Sequence, residues 1–185
     1  VVLDDGHPVL HADEPVLAEA AERAQGADCI VSVGGGTITD IAKVACERAA
    51  VPVHIVVQTA ASVDGFTDDF AVVLQNGVKK TLPSRWPDAV LIDTVTIAEA
   101  PLVLNASGFG ELLSIYSAPG DWFLAKECGL DDSYAPVLTE ILAMCGEGSE
   151  EWSGGISQGD KNATTRLASA LAMRGIVTGT GGTTA

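Results

Sequence analysis

Asp28-Cys-Ile-Val-Ser-Val-Gly-Gly-Gly-Thr-Ile-Thr-Asp-Ile-Ala-Lys43 is the stretch whose reading decides the fold. Its segment 29–33 is short, apolar and bounded by glycine, the pattern of a parallel strand covered on both faces. The three glycines that follow let the backbone approach a ligand closely and take either sign of φ. Beyond them Ile38, Ile41, Ala42, Ala45 and Cys46 form the apolar stripe of a helix starting near Thr37. The unpaired N–H groups and positive dipole end of that helix face back toward the turn, which makes it a seat for a phosphate or pyrophosphate. A glycine turn can also serve tight strand–helix packing alone. Thr37, Ile38 and Thr39 follow the triplet, so the spacing is not G-x-G-x-x-G. Residues 51–61 hold no acidic side chain for a ribose hydroxyl. The ordinary dinucleotide fingerprint is therefore excluded, and a different nucleotide-binding turn is expected.

Working outward, Asp13 is expected to cap a helix with Pro15 in its first turn and Val16, Leu17, Ala20 and Ala21 on one face; Gly26 ends it. Residues 1–3 read as the end of a strand and 4–8 as a turn. Val51-Pro-Val-His-Ile-Val-Val57 is a second buried strand, and strand–helix–strand at this spacing implies a parallel sheet. The loop 58–69 then lies at the carboxyl end of that strand, where open α/β sheets bind ligands. Gln75-Asn-Gly77 between two strand-like runs signals a hairpin. A short strand at 89–92 and a helical turn at 94–100 complete an α/β half, residues 1–100. From Pro101 the pattern becomes helical, with helices expected over 102–124, 133–145 and 162–176, breaks at Gly129 and around 146–159, and a Gly/Ser-rich acidic loop at 146–155. Residues 101–185 are thus read as an all-helical half, cut short at its C-terminus.

The 185 residues are 47% apolar and 5% aromatic, which suits a layered α/β protein. A formal net charge of −15 disfavours nucleic acid and anionic membrane surfaces as partners. No apolar run is long enough to span a bilayer. Cys29, Cys46, Cys128 and Cys145 show no C-x-x-C spacing, and the first two read as core. No secretory signal is seen, so a reducing cytoplasm is the expected compartment. The chain starts Val-Val-Leu and stops in a glycine-rich segment, so both ends read as cut and N-terminal strands as missing.

Several side chains stand out for chemistry. Thr59-Ala-Ala-Ser62-Val-Asp64 follows a buried strand with small residues, two hydroxyls and a carboxylate, suited to a cofactor lying against backbone; a plain Ser/Asp turn is the competing reading. Glu111, in Gly108-Phe-Gly-Glu-Leu-Leu, is an isolated carboxylate at what reads as a helix start. It either complements the helix dipole or meets a cation, a metal included. Lys79, Lys80 and Arg85 are the only cations between Arg48 and Lys126, so they are candidates to grip a substrate phosphate. The two lysines, adjacent on a strand, face opposite sides, and solvated hairpin charges are the other reading. His7 and His11 read as loop residues, His54 as a satisfied core histidine, and Asp40 and Lys43 as a possible helical pair.

Gly-Gly-Gly-Thr-Ile-Thr-Asp-Ile-Ala-Lys43, Thr59-Ala-Ala-Ser-Val-Asp-Gly-Phe66, Gly77-Val-Lys-Lys-Thr-Leu-Pro83 and Ala106-Ser-Gly-Phe-Gly-Glu-Leu-Leu113 form an ordered series. The series resembles the iron-containing alcohol dehydrogenase superfamily, and within it the sn-glycerol-1-phosphate dehydrogenase branch. The resemblance implies a Rossmann-like parallel-sheet domain binding NAD or NADP, then a helical metal-binding domain, with the active site in the cleft between them. By position, Gly34, Gly35, Gly36, Thr37, Thr39 and Asp40 would cradle the pyrophosphate, and Thr59 and Ser62 would line the nicotinamide side. Asp64 would contact substrate, with Lys79 and Lys80 as further substrate contacts. Glu111 falls at the metal-binding carboxylate, for zinc, nickel or iron, with histidine ligands expected beyond Ala185. The implied chemistry is hydride transfer between nicotinamide C4 and a carbon of a polyol phosphate, catalysed with Asp64 and Glu111; a small-molecule substrate is the expected partner, with a homo-oligomer as an open expectation for the full-length protein.

Three departures qualify that reading. Gln58 replaces the usual proline, Asp68 stands where a serine normally faces the cofactor and adds negative charge near the phosphates, and Glu111 stands where the branch usually has Asp. Glutamate there is what the related sugar-phosphate cyclases of the dehydroquinate-synthase type use, so an NAD-using cyclase and a non-catalytic nucleotide-binding homologue are the alternatives. Without histidine ligands Glu111 completes no metal site, and the chain is expected to be inactive alone.

Overall fold

The computed structural model describes residues 9–180. The expected strand end at 1–3, the turn at 4–8 and His7 lie outside the described residues. The chain divides into two compact units. One is the chain up to Thr59 together with Gly65–Asp93, and the other is Ala60–Asp64 together with the chain from Thr94.

In the first unit α1, Glu14–Arg23, starts as its sequence requires: Asp13 accepts the Val16 N–H at 3.2 Å and a proline sits in the first turn. Strand β1 (Cys29–Gly34) leads through the glycines into α2 (Gly36–Arg48), and β2 (Val53–Gln58) returns parallel to β1. Strands β3 (Phe70–Gln75) and β4 (Val78–Pro83) form the expected hairpin, turning at Asn76 and Gly77 with φ of 53° and 76°. Such positive φ at both central residues suits the right-handed twist of the flanking strands. Strand β5 (Ala89–Ile92) then pairs parallel with β2, giving the order β1-β2-β5. Leu17 and Val16 of α1, Ile41 and Val44 of α2, and Ala71 and Val73 of β3 share one core cluster.

Strand β1 corrects its sequence reading. It is covered on one face among the described residues, not on both. Ser32, His54, Val56 and Gln58 are buried, while Val31, Val33 and Leu91 in the alternate rows are 55%, 60% and 57% exposed. A strand covered on one side buries every second residue whatever its composition. Cys29 lies on the open row and is exposed, whereas Cys46 is buried in α2 and its thiol is pushed up to about 11 by burial. His54 is a core residue, as read, but not a fully satisfied one. Its ring meets Ser32 Oγ at 2.9 Å and its backbone N–H donates to Asp88 Oδ2, while its buried Nδ1 has no hydrogen-bond partner among the described residues. Burial holds its imidazole down at about 4, so the ring is neutral at pH 7.

The second unit is helical: α3 (Thr94–Glu99), α4 (Leu102–Leu112), a 3-10 turn (Leu113–Tyr116), α5 (Ala118–Glu127), α6 (Pro136–Gly146), α7 (Ser149–Trp152), a second 3-10 turn (Ser153–Gln158) and α8 (Lys161–Gly179). Helix α3 packs against α8, which draws residues 94–99 into the helical unit although their sequence reads as the end of the α/β half. The single helix expected over 102–124 is broken, because Pro119 lacks the N–H that a continuing helix needs and instead opens α5. The loop expected at 146–155 folds instead into α7 and the start of the second 3-10 turn, which Gly148 and Gly159 bracket, both at φ 66°. Asp160 caps α8 by accepting the Ala163 N–H at 3.0 Å. Leu112, Trp122, Leu142, Leu167 and Leu171 are all buried in this unit.

Candidate functional site

The glycine turn sits at the carboxyl end of β1. The Thr59 N–H donates to Gly34 O at 3.0 Å, which holds the start of the following loop beside the turn. A Cβ on Gly34 would lie 2.6 Å from Ile38 Cγ1, so glycine is what lets the first turn of α2 close onto the strand. Gly35 is the N-cap of α2, with no side-chain cap and no acidic side chain in the first turn. A 13-residue helix whose leading amides are neither capped by a side chain nor met by a carboxylate suits an anion at that end. Thr37 is exposed there, Thr39 hydrogen-bonds back to Gly35 O at 3.3 Å, and Asp40 is buried in α2. The residues present therefore fit a pyrophosphate.

Beneath the turn lies a residue that the sequence reading undervalued. Lys43 is fully buried, and its ammonium reaches Gly65 O at 2.6 Å, Asp68 O at 2.8 Å, Asp68 Oδ1 at 2.7 Å and Phe70 O at 2.7 Å. It thus pins the chain from Gly65 to Phe70 instead of forming the helical pair read with Asp40. A lysine inside the apolar run 41–46 was the available signal, since a buried ammonium demands acceptors. Asp68 is itself buried. Burial pushes its carboxyl up, against the opposing pull of the Lys43 ammonium and the Phe70 N–H. The negative charge read as standing near cofactor phosphates is thus met by a cation in the core.

The other cations of this unit divide. Lys79 and Lys80 are exposed on β4, opposite Leu74 and Val73. Arg85 is committed to structure, donating to Val51 O at 2.8 Å, Pro52 O at 3.0 Å and Asp88 Oδ2 at 2.8 Å. It is not available to grip a phosphate in the way its spacing suggested.

In the helical unit, Ala60–Asp64 lies against α4. The Ala61 N–H donates to Asn105 Oδ1 at 3.0 Å, and Asn105 Nδ2 donates to Ile97 O at 2.7 Å. A Cβ on Gly108 would fall 1.8 Å from Ala61 O, so only glycine admits this segment. Ser62 is half-buried on it, and Asp64 at its end is buried. Glu111 lies in the last turn of α4, not at a helix start. A carboxylate at the negative end of the dipole is disfavoured there, so the dipole-complement reading fails, and a cation stands beside it. The cation is Arg174 of α8, 4% exposed. Its Nη1 ion-pairs with Asp64 Oδ2 and with Glu111 Oε1, the latter at 2.9 Å, and its Nε donates to Ser114 Oγ at 3.1 Å. Arg174 was not singled out from the sequence, although a lone cation in the apolar run 167–177 was its signal. Among the described residues no three His, Cys, Asp or Glu side chains stand where they could hold a metal ion. With both carboxylates turned onto one guanidinium, the residues present do not fit a divalent metal.

Known proteins resemble this chain in sequence and in fold. The family model described as iron-containing alcohol dehydrogenase matches residues 5–101, and the chain belongs to that family. Among curated relatives, the glycerol-1-phosphate dehydrogenase [NAD(P)+] of Geobacillus thermodenitrificans is 30% identical over 173 residues, covering 94% of this chain and 42% of the relative. The glycerol-1-phosphate dehydrogenase [NAD(P)+] of Methanothrix thermoacetophila is 39% identical over 119 residues, 63% of this chain and 33% of the relative. The chain thus spans less than half the length of these curated relatives. Among solved structures, a probable glycerol dehydrogenase from Sinorhizobium meliloti superimposes with a TM-score of 0.80 at 22% identity, covering 93% of this chain and 52% of that one. The glycerol dehydrogenase of Schizosaccharomyces pombe does so with a TM-score of 0.77 at 21% identity, covering 98% and 48%. Both share the fold. Among the described residues no helix is long and apolar enough to cross a membrane.

Proposed function

We propose that this chain is the cofactor-binding part, with some of the substrate-binding part, of an NAD(P)-dependent oxidoreductase. Its reaction interconverts sn-glycerol 1-phosphate, or a similar polyol phosphate, and the corresponding ketone, dihydroxyacetone phosphate. The observation that carries this reading is the uncapped N-terminus of α2 behind Gly34–Gly36. The names of the curated relatives support the substrate class.

In this reading the amides of Gly34, Gly35, Gly36 and Thr37 receive the pyrophosphate, with Thr39 and Asp40 shaping the turn. Thr59 and Ser62 flank the nicotinamide, which when bound supplies a hydride acceptor at C4. Asp64 and Glu111 are assigned to substrate contact within the helical unit, and the exposed ammonium groups of Lys79 and Lys80 to phosphate contact within the α/β unit. Because Asp64 and Glu111 are turned onto Arg174, no step is assigned to a metal, and the 185-residue chain alone is expected to turn over no glycerol 1-phosphate. The same contact favours a second reading, a nucleotide-binding homologue without catalysis.

The test is a fluorescence titration of the chain with NADH and NADPH, repeated on Gly35→Asp. Aspartate at an N-cap stabilises a helix by bonding its leading amides. The variant therefore keeps or raises its unfolding midpoint while binding of either nucleotide weakens at least tenfold. Equal affinity in the two proteins would overturn the assignment of the turn. Stoichiometric NADH formation from glycerol 1-phosphate by a longer polypeptide containing this chain separates the oxidoreductase from the non-catalytic reading.

A further inference from the structure

We infer that Arg174 is the resident cation of the Asp64–Glu111 pair, and that these carboxylates serve in this chain as an internal ion cluster, not as ligands of a divalent metal. Three observations converge. Glu111 lies in the last turn of α4, where the helix dipole disfavours its charge, and it meets a cation there, Arg174 Nη1 at 2.9 Å. Asp64 is delivered to the same point by a segment that only Gly108 admits and that Asn105 fixes. Arg174 comes from the middle of α8, buried, with Nη1 on both carboxylates and Nε on Ser114.

The chemistry of the guanidinium separates this arrangement from a metal seat. A guanidinium presents its donors in a rigid planar fork that matches carboxylate oxygens, unlike the point charge of a bare ion. Its planar set of donors satisfies two carboxylates and a hydroxyl together, which a spherical ion would do only with further ligands. A divalent ion would have to displace a buried cation that then lacked its anions, and that is costly in a low-dielectric interior. The cluster thus joins α4, α8, the 3-10 turn Leu113–Tyr116 and Ala60–Asp64 within the helical unit. Arg174 is a positioning residue for the two carboxylates.

The experiment is calorimetric titration of the 185-residue chain with Zn²⁺ and Mn²⁺, alone and as Glu111→Gln, Arg174→Met and Arg174→Met/Glu111→Gln. The wild-type chain and Glu111→Gln are expected to give the same weak isotherm. Arg174→Met, shown folded by circular dichroism, is expected to bind at least tenfold more tightly, and Glu111→Gln in that background removes the gain. Tighter metal binding by wild type than by Glu111→Gln overturns the inference, as does a folded Arg174→Met with no gain. Should Arg174→Met fail to fold, the comparison of wild type with Glu111→Gln decides alone, equality supporting the cluster and a difference sinking it. NADH binding at the glycine turn is read separately, so the two proposals fail independently.

Discussion

At the scale of single residues, buried charge distinguishes this chain. Lys43 and Arg174 are both inside, and each is matched by acceptors brought from far along the sequence. Removing one partner of such a pair costs more than forming it gains, because the other charge is left desolvated. Lys43→Met therefore strands Asp68 and frees the carbonyls of Gly65 and Phe70. The expected loss is about 3–5 kcal/mol, measured as a shift in the urea unfolding midpoint. Lys43→Met/Asp68→Leu should recover part of it, since the stranded carboxylate is then gone. If the double variant is no more stable than the single one, the ion pair is not what holds Gly65–Phe70 in place.

At the scale of elements, α4 shows how two glycines two residues apart do opposite work. Gly108 faces Ala61 O, and a Cβ there meets backbone that cannot yield as a side chain can. Gly110 has nothing within 4 Å of where its Cβ would be. Gly108→Ala should push Ala60–Asp64 off the helix and destabilise by about 1–3 kcal/mol or more. Gly110→Ala should stabilise by up to about 1 kcal/mol, because alanine gives up less backbone entropy in a helix. Thermal melts of the two variants check both signs, and a Gly108→Ala melt at or above wild type contradicts the packing described. Such contrasts were hidden in the sequence, where both are simply the glycines beside Glu111 in Gly108-Phe-Gly-Glu-Leu-Leu.

For the whole molecule the dominant quantity is the formal net charge of −15. Self-repulsion at that charge disfavours the compact state, and salt screens it. Raising NaCl from ~0.1 to ~1 M shortens the Debye length from about 10 to about 3 Å. The exposed pairs Arg48–Glu14 and Arg23–Glu19 weaken under the same change, but pairs of that kind contribute about 0–1 kcal/mol each. A rise in melting temperature of a few degrees is the expected result of a salt series. A fall would mean that surface pairs outweigh the repulsion.

The sequence by itself determined the strand–glycine turn–helix, the parallel return of β2, the Asn76-Gly77 hairpin and the helical character of the second half. Those features follow from local rules, namely apolar period, capping residues and backbone freedom, acting over a few residues. It also singled out Asp64 and Glu111. Only the tertiary structure decided what those carboxylates face, because Arg174 lies 110 residues from Asp64 in the chain. It likewise decided that Lys43 takes Asp68, that Arg85 is tied to backbone, and that among the described residues β1 is covered on one face. Which charge meets which is set by long-range packing, and a buried charge accepts whatever counter-charge the fold delivers.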